Sequence, residues 1–453
     1  MGTIFRAYDI RGAYPAELDE DLARRIGACF ARLLQAESIV IGRDMRLSSP
    51  SLAEAFIQGA LSAGASVADV GMVSTPLLYH ALIDGGFDGG AMVTASHLPG
   101  EMNGFKLCRK NAIPLSGDTG LPELERLVSD SPAIPSRPVR GAYRRLAVRD
   151  RYIRMLLSFV RPERPLAIIV DAGNGMAGPE VPRIAEKIPQ WTFSLIDMEP
   201  DGRFPDHIAN PLIASTTRRL QAAVVRERAN IGVAFDGDAD RCGFVDEAGT
   251  RVPEDLVTAL IAGVILQRHP GGTILYDLRS SRIVPETIRR LGGEAVRCRV
   301  GHAFIKAQMR EEQALFAGEL SGHYYYRDTG YTDNAVMTML QMLNLLSMEQ
   351  QPLSRLVAPL KKYASTGEIN LQAKDRDAVL AALEEHYDDA TLDHLDGLTV
   401  EYPSWWFNIR PSHTEAVLRL NLEAQDAKTM EQKKRELLSI LSEAAPDMRI
   451  KEE

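Results

Sequence analysis

Cysteine is scarce in this chain: Cys29, Cys108, Cys242 and Cys298 are scattered through 453 residues with no Cys-x-x-Cys spacing. That excludes a zinc ribbon and gives no disulfide framework. Long apolar runs are also lacking. The longest, residues 256–266, is far short of the roughly 20 residues that a bilayer-spanning helix needs. The opening Met1-Gly2-Thr3-Ile4-Phe5-Arg6 has no secretory hydrophobic segment, and Arg6 stands where a myristoylation signal carries Ser or Thr. Nor is there an excess of positive charge: the net charge of −9 argues against nucleic acid as the partner. Together these absences predict a cytoplasmic protein, with neither membrane nor nucleic acid as its partner.

What is present is the composition of a soluble globular protein, 45% apolar and 25% charged. Domains usually run about 100–150 residues, so this length predicts three or four of them. Three short β-rich runs end in Asp and lead into helix-like segments. Ser38-Ile39-Val40-Ile41 runs into Gly42-Arg43-Asp44, and Ala167-Ile168-Ile169-Val170 into Asp171-Ala172-Gly173-Asn174-Gly175. Thr273-Ile274-Leu275-Tyr276 runs into Asp277-Leu278-Arg279. Strands alternating with amphipathic helices read as α/β layers. Ser48-Ser49-Pro50 supplies cap candidates for the first such helix. Further on, residues 398–402 and 416–422 alternate like strands with one wet face, and residues 428–441 read as a helix. The fold class is therefore α/β: three similar mixed-sheet α/β domains plus a smaller C-terminal α+β domain. Boundaries fall near residues 141, 250 and 363, giving units 1–141, 142–250, 251–363 and 364–453.

Four motifs carry chemistry. In Gly90-Ala91-Met92-Val93-Thr94-Ala95-Ser96-His97, a small apolar strand delivers a serine to a Leu98-Pro99-Gly100 turn. There Ser96 could serve as nucleophile or phosphoryl carrier, with Lys106 as a nearby cation; alone, such a serine is more often a turn or cap residue. Asp236-Gly237-Asp238-Ala239-Asp240-Arg241 follows the strand-like 231–235. Three carboxylates at alternate positions can converge on one hard cation, and without it their crowding is costly. An EF-hand is excluded. Glu247 falls at position 12, but Arg241 occupies the position that needs glycine, and a β-rich run precedes the loop where an EF-hand has a helix. Gly318-Glu319-Leu320-Ser321-Gly322-His323 places a carboxylate and a hydroxyl where they could bind vicinal sugar hydroxyls, beside an imidazole that exchanges protons near neutral pH. As a lone motif it is also an ordinary polar turn. Arg410-Pro411-Ser412-His413-Thr414-Glu415, between two strands, combines a guanidinium with hydroxyls and loop N–H groups suited to phosphate.

In order and separation, the four motifs resemble the α-D-phosphohexomutase superfamily over essentially the whole chain. Phe5-Arg6-Ala7-Tyr8-Asp9-Ile10-Arg11-Gly12 and Gly42-Arg43-Asp44-Met45-Arg46 are similar to bacterial phosphomannomutases and phosphomannomutase/phosphoglucomutases. The resemblance implies four domains around a central cleft, contributing phosphoserine, metal, sugar and phosphate loops in turn. It implies that Ser96 carries the phosphoryl group and that Asp236, Asp238 and Asp240 bind Mg²⁺ together with a phosphoserine oxygen. Arg241, Lys106 and Arg11 would stabilise the transferring group, and Tyr8 would line the cleft. Glu319 and Ser321 would hold sugar hydroxyls, with Arg279 and His302 nearby. His323 would be the general acid/base, and Arg410, Ser412, His413 and Thr414 would bind the phosphate that is not transferred.

The implied reaction is the interconversion of hexose 1-phosphate and hexose 6-phosphate through a 1,6-bisphosphate, itself the activator. Leu320 in the sugar loop and Trp405-Trp406-Phe407-Asn408 favour mannose phosphate first and glucose phosphate second. A monomer or weak dimer is expected. Leu98, His413 and Ala416 depart from the residues common in the family, which bears on substrate preference rather than on the primary chemical groups. The competing readings are a Mg²⁺-dependent sugar phosphatase with Asp236 as nucleophile, and a non-catalytic sugar-phosphate-binding protein.

Overall fold

Each of the three β-rich runs that end in Asp is the middle member of a trio of parallel strands. The computed structural model describes residues 4–131, 141–412 and 417–451. In the first sheet Ser38–Arg43 lies between Ser66–Met72 and Gly89–Val93. In the second, Leu166–Asp171 lies between Trp191–Ile196 and Ile231–Phe235. In the third, Thr273–Asp277 lies between Glu294–Cys298 and Phe316–Gly318. Strands covered on both faces must be apolar along their whole length, which is why these runs show no alternation.

The three sheets then repeat one further step. Their last parallel strand turns back into an antiparallel neighbour: Met102–Arg109, Cys242–Asp246 and Tyr324–Tyr326 respectively. The connection between these two strands is the serine loop in the first sheet, the aspartate loop in the second and the Glu319–Ser321–His323 loop in the third. One topological position therefore carries three different chemistries. The strand Tyr143–Arg145 lies past residue 141 yet extends the first sheet, and Arg251–Val252 lies past residue 250 yet extends the second.

The fourth sheet is antiparallel. Its order is Thr391–Asp393, Leu398–Tyr402, Trp405–Pro411, Leu418–Ala424, Ala364–Gln372 and Arg449–Ile450. Val379 and Leu383 of the helix Arg376–His386, with Leu437 and Leu441 of Ala427–Ala444, share its core. That core is separate. The first three sheets, by contrast, share one continuous apolar interior. Running through it, the helix Ala335–Met348 is buried at every residue from Ala335 to Ser347, as a helix apolar all round must be.

Polar groups tie the fourth sheet to the third. Arg282 donates to the carbonyls of Tyr402 and Pro403, and Arg297 pairs with Asp393 and Glu401. The apolar run 256–266 forms part of the helix Glu254–Arg268. Among the described residues no helix is long and apolar enough to cross a membrane.

One local expectation changes. Ser48 precedes the helix Ser49–Ala63 but makes no capping hydrogen bond with its side chain. Its hydroxyl instead accepts from Asn103 Nδ2 at 2.8 Å, tying the helix start to the strand after the serine loop.

Candidate active site

The end of the strand Gly89–Val93 delivers Ser96 into a left-handed backbone conformation, φ +53°, which is uncommon for a residue with a Cβ. Arg46 holds the turn in place. This fully buried guanidinium pairs with Asp44 and donates to the carbonyls of Ser96 (2.8 Å), Leu98 (2.6 Å), Pro99 (2.5 Å) and Met102 (2.9 Å). Leu98 thus serves the loop through its backbone. Ser96 Oγ donates to Asp236 Oδ2 at 2.7 Å, across the boundary between the first and second sheets. The approach is close because residue 237 is glycine: a Cβ there would stand 2.4 Å from the Ser96 carbonyl oxygen.

Asp236, Asp238 and Asp240 are all buried and present carboxylate oxygens within 4.8 Å of one another. Lys106, on the strand after Ser96, reaches Asp238 at 2.6 Å and also pairs with Asp240. Thr75 Oγ1 donates to Asp238 at 2.6 Å. Burial, then Asp240 and Asp238, push the Asp236 carboxyl well above the usual carboxylate range. Burial opposes the charge of Asp240 as well, but Lys106 and His323 outweigh it and hold that group ionised. Asp238 Oδ1 and Asp240 Oδ1 are buried with no hydrogen-bond partner, a costly arrangement for acceptors. Hard oxygen donors, converging and partly unsatisfied, fit a divalent cation such as Mg²⁺.

The aspartate and sugar loops are joined through their backbones. Arg241 and His323 form an isolated antiparallel bridge, and the Cys242 amide donates to the Gly322 carbonyl. His323 is consequently surrounded. Its Nδ1 is 2.7 Å from Ser321 Oγ and 3.2 Å from Glu319 Oε2, while its Nε2 is 3.2 Å from Arg241 Nε and 3.4 Å from Asp240 Oδ1. Burial and Arg241 oppose a charge on the imidazole, but Asp240 and Glu319 outweigh them and raise its pKa. Glu319 also accepts from Tyr325 Oη at 2.7 Å. Despite burial, His323 and Arg279 keep Glu319 ionised well below the usual range.

These groups surround a cavity of about 630 Å³ lined by elements of all four sheets. Tyr8, Arg11, Arg279, His302, Arg410 and Ser412 face it, as do Arg241, Glu319, Ser321 and His323. Arg11 is held by Asp9 at 2.7 Å. Tyr8 donates to the Val300 carbonyl and meets the His302 ring edge-on at 5.3 Å. Burial keeps His302 neutral, lowering its pKa well below the ordinary value. Ser96 and the three aspartates, none more than 2% exposed, sit behind the lining formed by His97, Arg241 and His323. His413 and Thr414 lie outside the described residues.

Several participants escaped the sequence reading. His97 Nδ1 is 3.1 Å from Ser96 Oγ. Thr75 gave no local signal, since its partner is 163 residues away. Glu368 and Arg419 also line the cavity. In the Gly42-Arg43-Asp44-Met45-Arg46 run, the structural content beyond the strand end is the buried Arg46 clamp.

Comparison with known proteins gives a consistent result. Models of phosphoglucomutase/phosphomannomutase alpha/beta/alpha domains I, II and III match residues 2–131, 150–249 and 253–363, and the C-terminal domain model matches 368–439. A phosphomannomutase of Salmonella typhimurium is 39% identical, covering 97% of this chain and 99% of its own. Proteins described as phosphohexose mutases from Xanthomonas campestris pv. campestris are 40% identical over 96% of this chain and 98% of theirs. The solved structure of a phosphoglucomutase/phosphomannomutase family protein from Burkholderia thailandensis superposes with a TM-score of 0.91 at 33% identity, covering 99% of this chain and 98% of that one.

Proposed function

Since the chain belongs to the phosphoglucomutase/phosphomannomutase family and is a phosphohexomutase, we propose that it interconverts mannose 1-phosphate and mannose 6-phosphate through phosphorylated Ser96, with glucose phosphates as second substrates. The observation that carries this reading is the hydrogen bond from Ser96 Oγ to Asp236, at the junction of the serine and aspartate loops and beside Lys106. The preference for mannose rests on the relatives named phosphomannomutase.

Asp236, Asp238 and Asp240 would hold Mg²⁺, which when bound offsets the charge of a phosphorylated serine, roughly −1.5 to −2. Phosphoryl transfer depends mainly on positioning and charge neutralisation. Lys106, Arg241 and Arg11 supply fixed cations around the serine. Glu319 and Ser321 orient the sugar, with Arg279, His302 and Tyr8 forming the adjoining wall. His323, set between Asp240 and Glu319, moves the proton of the sugar hydroxyl. As the sugar O–P bond forms, the bond from phosphorus to Ser96 Oγ breaks. The resulting 1,6-bisphosphate turns over and returns its other phosphate to the serine, so a trace of bisphosphate acts as activator. Arg410 and Ser412, with His413 and Thr414, hold whichever phosphate is not in transfer.

Ser96 is fully buried, so the His97–Arg241 lining must part for a hydroxyl to arrive and close again to exclude water. The units 1–141, 142–250, 251–363 and 364–453 would then act as phosphoserine, metal, sugar and phosphate domains. The four cysteines are buried and unpaired, in keeping with a cytoplasmic location. A monomer or weak dimer, acting on phosphosugar alone, completes the reading.

The test is ³¹P NMR of the protein with Mg²⁺ and a trace of hexose 1,6-bisphosphate. Mannose 1-phosphate and glucose 1-phosphate are supplied separately. Conversion to the 6-phosphate, faster for mannose, is expected. Release of free phosphate without the 6-phosphate would overturn the mutase in favour of a phosphatase. Binding without any turnover would leave a sugar-phosphate-binding protein.

A further inference from the structure

Arg410 and Arg419 are direct cross-strand partners in the hairpin of Trp405–Pro411 and Leu418–Ala424. Like charges placed opposite one another on adjacent strands destabilise a sheet unless an anion sits between them. Arg279 joins them from the third sheet, so three guanidiniums from two sheets converge at one end of the cavity. The carboxylate facing all three belongs to Glu368. Its Oε2 is 3.1 Å from Arg279 Nη1 and 3.6 Å from Arg410 Nη2, and its Oε1 is 3.4 Å from Arg419 Nη1.

Three features set this carboxylate apart from a fixed structural partner. Arg279 already has such a partner in the fully buried Asp277, which accepts from its Nε and Nη2. The Glu368 side chain is 26% exposed, whereas those of Arg279 and Arg410 are 7% and 1% exposed. Glu368 also follows an irregularity in its strand, where the register against Leu418–Ala424 shifts between Ser365 and Glu368. Bulges of this kind re-aim side chains at functional sites. Moreover Arg410 Nε and Nη2 are buried with no hydrogen-bond partner, so the guanidinium retains donors suited to a larger anion.

We propose that Glu368 competes with the sugar's non-transferred phosphate for Arg279, Arg410 and Arg419, replacing it at the cradle each time the phosphosugar lets go. The inference rests on the mutase reading, and it gives that reading something it needs. A bisphosphate that must reverse its orientation has to leave a cradle of buried arginines between two transfers. A carboxylate on the adjacent strand takes over those charges as the phosphate departs, so release does not strand the buried guanidiniums of Arg279 and Arg410 beside the half-buried Arg419. The cost is weaker binding. If Glu368 is docked in about nine molecules of ten, apparent phosphate affinity falls about tenfold.

Glu368→Gln tests this, because it removes the charge and keeps the shape. Inorganic phosphate is titrated into the protein without substrate, and is also assayed as a competitive inhibitor of mannose 1-phosphate conversion. The variant should bind phosphate about tenfold more tightly, with KM lowered and kcat lowered as release slows. Unchanged or weaker phosphate binding would overturn the proposal and make Glu368 a positioning residue for the arginines. Should the variant not fold, a crystal structure of the wild-type protein with inorganic phosphate in the cradle decides. Glu368 withdrawn from Arg410 and Arg419 supports the exchange, and all three pairs kept with phosphate bound refutes it. The titration requires no turnover. A wild-type protein that converts no phosphosugar would therefore fail the mutase reading alone, leaving the phosphate result to be read separately.

Discussion

The two ends of the cavity are built with opposite charge imbalances. Behind one end, three buried aspartates crowd together and Lys106 pairs with two of them, with Asp238 Oδ1 and Asp240 Oδ1 left without hydrogen bonds. At the other end, Arg279, Arg410 and Arg419 gather around the partly exposed Glu368, with Asp277 also paired to Arg279. An isolated buried charge is costly, so each end is complete only with a partner of the missing sign. The acidic end is suited to a cation that stays. The basic end, with an internal carboxylate on a neighbouring strand, is suited to an anion that comes and goes. In the proposed cycle, a catalytic group is kept at one end while the substrate is released and reversed at the other.

Breaking the acidic end should have the largest effect. Ser96→Ala removes the proposed phosphoryl carrier and is expected to lower kcat by about 10⁴-fold or more in the mannose 1-phosphate assay, the scale on which loss of a nucleophile is felt. Activity within tenfold of wild type would remove Ser96 from the mechanism. Next in size is Asp240→Asn, which leaves Lys106 with fewer anions and the cation with a poorer donor set. Turnover should fall by at least about a hundredfold and require more Mg²⁺, and chelation of Mg²⁺ from the wild-type protein should abolish activity reversibly.

A smaller and different signature is expected at the basic end. Arg410→Lys keeps the charge but loses the planar fork, so KM should rise about tenfold, with kcat changing less. A change confined to kcat would erase the contrast between the two ends.

The mildest test varies pH. Glu180, fully buried, accepts from the Ser74 amide just before Thr75, which holds Asp238. Burial pushes its pKa up to about 7. A carboxyl whose folded pKa lies above its unfolded value favours the fold below that unfolded value, near 4.5. This contribution is lost as pH rises through about 7. The protein should therefore lose up to about 3 kcal/mol of stability between pH 4.5 and 7 from this group. Melting curves of Glu180→Gln should show a flatter dependence on pH across that window.

The acidic end was legible in the amino-acid order because its parts are contiguous. Asp236, Asp238 and Asp240 occupy one hairpin loop, and Ser96 and Lys106 lie ten residues apart on another. The central strands were equally plain, since burial on both faces leaves an unbroken apolar run ending in Asp44, Asp171 or Asp277. The basic end was legible at Arg410 and Ser412 and, through the resemblance, at Arg279. Arg419 faces Arg410 only through hairpin register, and Glu368 reaches the cradle on a strand paired with one distant in the chain, where register leaves no local pattern. Arg46 shows the same limit. A buried arginine that donates to four carbonyls of another loop reads, in sequence, as an ordinary charged turn.

That three sheets present their chemistry from the same turn also says how such a molecule can change. The stem of each hairpin is settled by strand pairing, and the tip is not, so each tip can carry its own residues within the contacts that join Ser96 to Asp236 and Arg241 to His323. A serine, a set of aspartates and a sugar-facing Glu–Ser–His group are then three inscriptions on one repeated letterform. On the proposed mechanism, diversification toward other phosphosugars needs new inscriptions in the third and fourth turns, while the first two, which would handle the phosphoryl group itself, stay as they are.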